Sequence, residues 1–111
     1  IAPQVGGAKC SKGKHFEADQ VINGGPSVLY DAVFVLTTEE GAEKLAAIAE
    51  AKDFVSDAYA HMKYIGFTSE AKPLFKAAGL DGKADDGWID LEAHSADKFI
   101  NTLRNLRYWE R

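Results

Sequence analysis

Alternation of apolar and polar positions opens the chain, unbroken apolar runs follow, and helical spacing then takes over. Val5 to Cys10 and His15 to Asp19 alternate around Ser11-Lys12-Gly13-Lys14, the pattern of a β-hairpin and its turn. Asn23-Gly24-Gly25-Pro26 predicts a second turn, with glycine supplying positive φ and proline ending any ladder. Asp31-Ala32-Val33-Phe34-Val35-Leu36 is a β-branched and aromatic run, which predicts a strand buried on both faces, as in a parallel sheet. Thr37 to Gly41 ends it with polar residues and two acids, at the kind of strand-to-helix crossing where α/β folds place ligands.

From Ala42 to Met62 the spacing is helical: Leu45, Ile48, Ala49, Val55, Ala58, Tyr59 and Met62 fall on one stripe. The stripe lapses around Ala51 to Asp53, which predicts two helical pieces with Asp53 as N-cap of the second. Tyr64 to Thr68 reads as a short strand. Glu70 to Ala78 reads as a short helix with Leu74 and Phe75 inward and Gly79 as its C-cap. After the polar loop Asp81 to Gly87 comes the strand Trp88-Ile89-Asp90-Leu91. The last helix is N-capped by Ser95, carries Asp97 in its first turn, and keeps Ala96, Phe99, Ile100, Leu103 and Leu106 on one apolar face. Arg104, Arg107 and Arg111 collect toward its C-terminal end, where the helix dipole favours cations. The order hairpin, β, α, β, α, β, α predicts an α/β sandwich with a largely parallel sheet.

Length and charge narrow this picture. The chain has 111 residues, enough for one domain with a modest core. Its net charge of −4 argues against nucleic-acid and anionic-membrane partners, since both demand a basic field. No apolar run approaches the ~18 residues of a membrane span. Ile1 to Gly7 lack the basic segment and apolar core of a signal peptide. The single cysteine, Cys10, excludes an internal disulfide framework and is compatible with a cytoplasmic or a secreted location.

Candidate chemistry is sparse. His15, His61 and His94 share no helical spacing and no cysteine pair, so no local metal site is expected. Asp81 to Glu92 superficially matches a calcium loop, but Lys83 and Asp86 stand where an oxygen ligand and the turn glycine belong. Gly6-Gly7 and Gly24-Gly25 are too sparse for a phosphate cradle. Cys10 has Lys9, Lys12 and Lys14 near it in sequence, yet sits in a hairpin strand rather than at a helix start. Asp57 and His61 are four apart on one helix, and Ser69 follows the next strand. These three could be drawn as a Ser/His/Asp set, while a surface pair between Asp57 and His61 is the simpler expectation.

The runs Gly25-Pro26-Ser27-Val28-Leu29-Tyr30-Asp31-Ala32-Val33, Phe54-Val55, Ala58-Tyr59-Ala60-His61-Met62-Lys63, Ile65-Gly66 and Leu74-Phe75-Lys76-Ala77-Ala78-Gly79-Leu80 together carry a family likeness. They resemble the C-terminal domain of large-subunit catalases, most closely the fungal ones, over essentially the whole chain. That resemblance implies a flavodoxin-like three-layer sandwich, related to PfpI-type and class I glutamine amidotransferase-like proteins. Enzymatic relatives carry a nucleophilic cysteine, followed by histidine, in a strand-to-helix turn; the equivalent slot here falls at Ser69, followed by Glu70 and Ala71. Their glycine pair after the buried strand is replaced by Thr37-Thr38-Glu39-Glu40. The resemblance therefore implies a catalytically silent segment with no cofactor or metal of its own, the haem of the parent catalase lying elsewhere. The implied partners are the other domains and subunits of a catalase homotetramer, with unfolded client proteins added if a chaperone-like role holds. Two alternatives stay open: a small PfpI-type hydrolase using Ser69 or Cys10, with His61 and Asp57, and a ligand-binding module using the Thr37 to Gly41 loop. The family also implies a strand and a helix ahead of Ile1-Ala2-Pro3. Residues 1–111 are thus expected to be an N-terminally truncated domain, whose open sheet edge is covered by a partner chain or by the absent piece.

Overall fold

The computed structural model describes residues 1–111. A small antiparallel hairpin, β1 (Ala8–Lys9) and β2 (His15–Phe16), leads into an α/β body. That body runs β3 (Val33–Val35), α1 (Glu39–Ala46), α2 (Ala49–Ala60), β4 (Ile65–Phe67), α3 (Lys72–Ala77), β5 (Trp88–Asp90) and α4 (Ala96–Thr102). The three central strands form a parallel sheet in the order β3-β4-β5, with Val33 opposite Ile65 and Ile65 opposite Trp88. No helix is long and apolar enough to cross a membrane.

Alternation along the strands assigns the two faces. Val33, Val35 and Ile65 join Ala51, Val55, Ala58, Leu74 and Phe75 in the main core, beneath α1, α2 and α3. On the other face α4 lays Phe99, fully buried, against Tyr64 and Ile89. Gly66 permits that approach: a Cβ there would stand 2.8 Å from the Phe34 ring and 3.1 Å from Phe99.

Several boundaries differ from those read in the sequence. The long helical stretch breaks at Ala47-Ile48, not at Ala51 to Asp53: Ala51 is buried inside α2, and Asp53 is an exposed mid-helix residue. The first helix also starts earlier, because the Thr38 hydroxyl caps it by accepting from the Gly41 N–H at 3.1 Å. Glu39 and Glu40 then occupy the first turn, where the helix dipole favours acids. Asn23 to Pro26 does turn, but Gly24 and Gly25 keep negative φ. Gly25 is instead needed for space, since a Cβ would sit 3.1 Å from Gln20 Cβ. Residues 69–71 form a 3-10 turn before α3, which ends as expected at Gly79 with φ +76°. Ser95 caps α4 through the Lys98 N–H. The helix then tightens into a 3-10 turn and stops at Leu106, which has φ +66° and is exposed, as is Ile100. The expected five-residue apolar face is thus reduced to Phe99 and the half-buried Leu103. β3 is fully covered on one face only: Val33 and Val35 are buried, whereas Phe34 packs on Phe99 with ring centroids 4.2 Å apart but stays 45% exposed.

Candidate functional site

The carboxyl ends of the three parallel strands are the first place to look. Main-chain and side-chain bonds draw them together: Thr68 Oγ1 donates to Thr37 O at 3.3 Å, and the Leu91 N–H donates to Phe67 O at 2.9 Å. Ser69 Oγ lies 2.8 Å from Glu92 Oε2 and 3.3 Å from Glu70 Oε2. A hydroxyl has one proton to give, and the nearer Glu92 takes it. Asp90 turns back to accept the Glu92 N–H at 2.9 Å. Ser69 therefore stands among carboxylates, whose charge opposes the oxyanion that acyl transfer develops.

His61 ends α2, ahead of β4, while Ser69 follows β4, so the two stand at opposite ends of that strand. The His61 ring donates from Nδ1 to the main-chain oxygen of Asp57 at 2.7 Å, leaving the Asp57 carboxylate out of the bond. The expected Asp57–His61 pair exists, but through backbone rather than charge. His15 bonds Gly6 O through Nε2 at 2.7 Å, and His94 lies beside Lys98. Cys10 is a free thiol in the hairpin turn, its N–H donating to Lys14 O at 2.8 Å. No three of the histidine, cysteine, aspartate and glutamate side chains converge as a metal site would require. Asp85, from the loop resembling a calcium site, spends its carboxylate on the Gly87 N–H and on Arg111.

Two cations anchor the body in ways that local patterning did not read. Lys63 is 1% exposed and donates to the main-chain oxygens of Ser27 and Tyr30, fixing the segment before β3 to the start of β4. Burial pushes its ammonium below the ordinary lysine range; Arg107 adds to the effect, and Asp31 and Asp57 oppose it. Beside it the Ser27 hydroxyl is buried without a partner. A cation inside the apolar run Met62 to Phe67 was the signal for this anchor. Arg111, read in the sequence as one of three cations at the end of α4, instead folds back onto the body. It meets Asp85 at 2.7 and 3.1 Å, donates to Tyr59 O and Lys63 O at 2.9 and 3.0 Å, and stacks on Tyr59. Nothing local could announce a contact across 26 and 52 residues.

A broad concavity follows the free edge of β3. It holds about 1100 Å³ and is lined mostly by apolar side chains, among them Ile1, Val35, Leu45, Ile48 and Phe54. β3 pairs only with β4, through Val33 and Val35, so the Phe34 N–H and C=O point to the open side. Phe34 and Leu36 expose 45% and 66% of their surface there. The Thr37 to Gly41 segment, considered above for ligand binding, forms one end of this groove.

Residues 16–111 match the family model of the C-terminal domain found in long catalases. The chain belongs to that family. Along its whole length this catalase C-terminal domain is 48% identical to Catalase C of Rhizobium meliloti, of which it covers 16%. It is 30% identical to Catalase HPII of Pseudomonas putida and 28% to Catalase-B of Dictyostelium discoideum, covering 15% and 16% of those proteins. The domain thus spans about one-sixth of the length of these relatives.

Proposed function

We propose that this domain is a catalytically silent accessory part of a haem catalase whose parent chain disproportionates hydrogen peroxide to water and oxygen. Under this reading the haem and the peroxide chemistry belong to polypeptide outside residues 1–111, and the domain serves the integrity of the subunit and its homotetramer. A chaperone-like action on unfolded clients is the further role the resemblance suggests.

The observation that carries the reading is the open edge of β3. A parallel strand buried on one face, with unpaired backbone groups and a 1100 Å³ apolar groove beside it, is a surface that other polypeptide covers. A flavodoxin-like fold, as the resemblance implies, would supply the occupant: a strand pairing with β3 and a helix over Phe34, both from polypeptide outside residues 1–111. Burying Phe34 and Leu36 there stabilises the assembly by roughly 1–2 kcal/mol each. The carboxylates around Ser69 support catalytic silence, because the resemblance implies that an enzymatic relative would hold its nucleophile in this slot, and their charge opposes a developing oxyanion.

Deletion of this domain from the long enzyme tests the proposal. Peroxide turnover per haem in freshly prepared enzyme is expected to persist, while the temperature at which tetramers dissociate falls by several degrees. Immediate loss of turnover in intact tetramers would overturn catalytic silence, and an unchanged dissociation temperature would overturn the stabilising role.

A further inference from the structure

The hairpin β1–β2 is charged against the rest of the molecule. Residues 1–16 hold Lys9, Lys12 and Lys14 and no acid, whereas all 17 acids lie from Glu17 onward, against ten cations. Both hairpin strands are exposed on both faces. Val5 is 89% exposed and Phe16 53%, with the Lys14 ammonium 5.2 Å above the Phe16 ring. The hairpin nevertheless has a defined shape. Ala8 pairs with Phe16 and Lys9 with His15. The turn is closed by Gly13 N–H to Cys10 O at 2.9 Å. Gly7, at φ +105°, lies so close to the opposite strand that a Cβ would stand 1.9 Å from Phe16 O. A two-stranded ribbon with no apolar face of its own is marginal in water, so a defined one needs a surface to lie on.

We infer that the hairpin is a docking arm: Lys9, Lys12 and Lys14, around Val5 and Phe16, fit an acidic surface with an apolar centre on the polypeptide that precedes Ile1 in the long protein. Position selects that occupant. The family is the C-terminal domain of proteins about six times longer, so the bulk of such a chain lies ahead of the hairpin in sequence. Charge selects its chemistry, because three clustered lysines, with no acid among residues 1–16, attract carboxylates on a protein surface. The inference rests on the accessory-domain reading only in taking the chain as part of a longer protein; it adds the charged hairpin to the interface, next to the β3 groove that Gly7 to Ser11 also line.

Carbodiimide cross-linking tests it, since that reagent joins lysines to carboxylates already in contact. The long protein would be prepared as a reassembled mixture of ¹⁴N- and ¹⁵N-labelled chains and digested for mass spectrometry. The expected result is same-label links from Lys9, Lys12 or Lys14 to aspartates or glutamates upstream of Ile1. Replacing all three lysines by glutamate is expected to increase protease release of the domain severalfold. Replacing them by arginine removes the links but leaves release unchanged, which separates docking from folding of the hairpin. Links confined to residues 1–111, mixed-label links only, no links from these lysines, or equal release of the glutamate and arginine variants would each overturn the assignment. If the links appear while deletion of the domain leaves tetramers unaffected, the stabilising role fails and the interface stands.

Discussion

Arg111→Ala probes a long-range tie that joins Arg111 to Asp85, Tyr59 and Lys63. The Arg111 side chain is 6% exposed and its partner Asp85 22%, so solvent screens the pair weakly. The substitution removes a forked contact to Asp85 and two bonds to the main-chain oxygens of Tyr59 and Lys63, at 2.9 and 3.0 Å. It also removes the stack on Tyr59. Breaking one side of a buried pair costs about 3–5 kcal/mol. Asp85 keeps some water and the Gly87 N–H, which places the expected cost near the lower end, about 3 kcal/mol. For a domain of this size that lowers Tm by about 12 °C. Thermal melts followed by far-ultraviolet circular dichroism would read it. Arg111→Lys, which keeps the charge but not the planar fork, is expected to lose about half as much. Asp85→Ala with Arg111→Ala closes a double-mutant cycle, whose coupling should exceed about 1 kcal/mol. A drop below about 4 °C for Arg111→Ala would refute the clamp, and near-zero coupling would shift its contribution to the aromatic stack.

Lys63 makes stability depend on alkaline pH. Its pKa is lowered in the folded protein by burial, so the folded state binds this proton less tightly than the unfolded chain. The group's contribution is full above the unfolded value of about 10.4 and is lost as pH falls through the folded one. The difference in urea midpoint between wild type and Lys63→Met should therefore move in favour of wild type as pH rises toward 10.4, and a pH-independent difference would refute it. Gly66→Ala drives a methyl to within 2.8 Å of the Phe34 ring and 3.1 Å of the buried Phe99. The expected loss is about 1–3 kcal/mol in urea unfolding, partly recovered when Phe34→Ala is added. Neutral behaviour of the single variant would show that α4 stands off the sheet.

The sequence by itself determined the alternation of strands and helices, the hairpin turn at Ser11 to Lys14, the Ser95 cap and the Gly79 stop, because each rests on groups within a few residues of one another. It also carried the family likeness, spread over runs that no single element explains. The helix break, by contrast, was misplaced: Ala51 looks weak in a stripe of larger residues, yet its small side chain is what packs inside α2. Only the tertiary structure decided that Arg111 leaves the end of α4 for Asp85, that Lys63 is buried against Ser27 and Tyr30, and that His61 and Ser69 flank opposite ends of β4. It alone showed that β3, composed as if buried on both sides, leaves Phe34 packed on Phe99 yet partly open to solvent. Local patterning records which side chains avoid water. What shields each from water is set by the approach of segments distant in sequence.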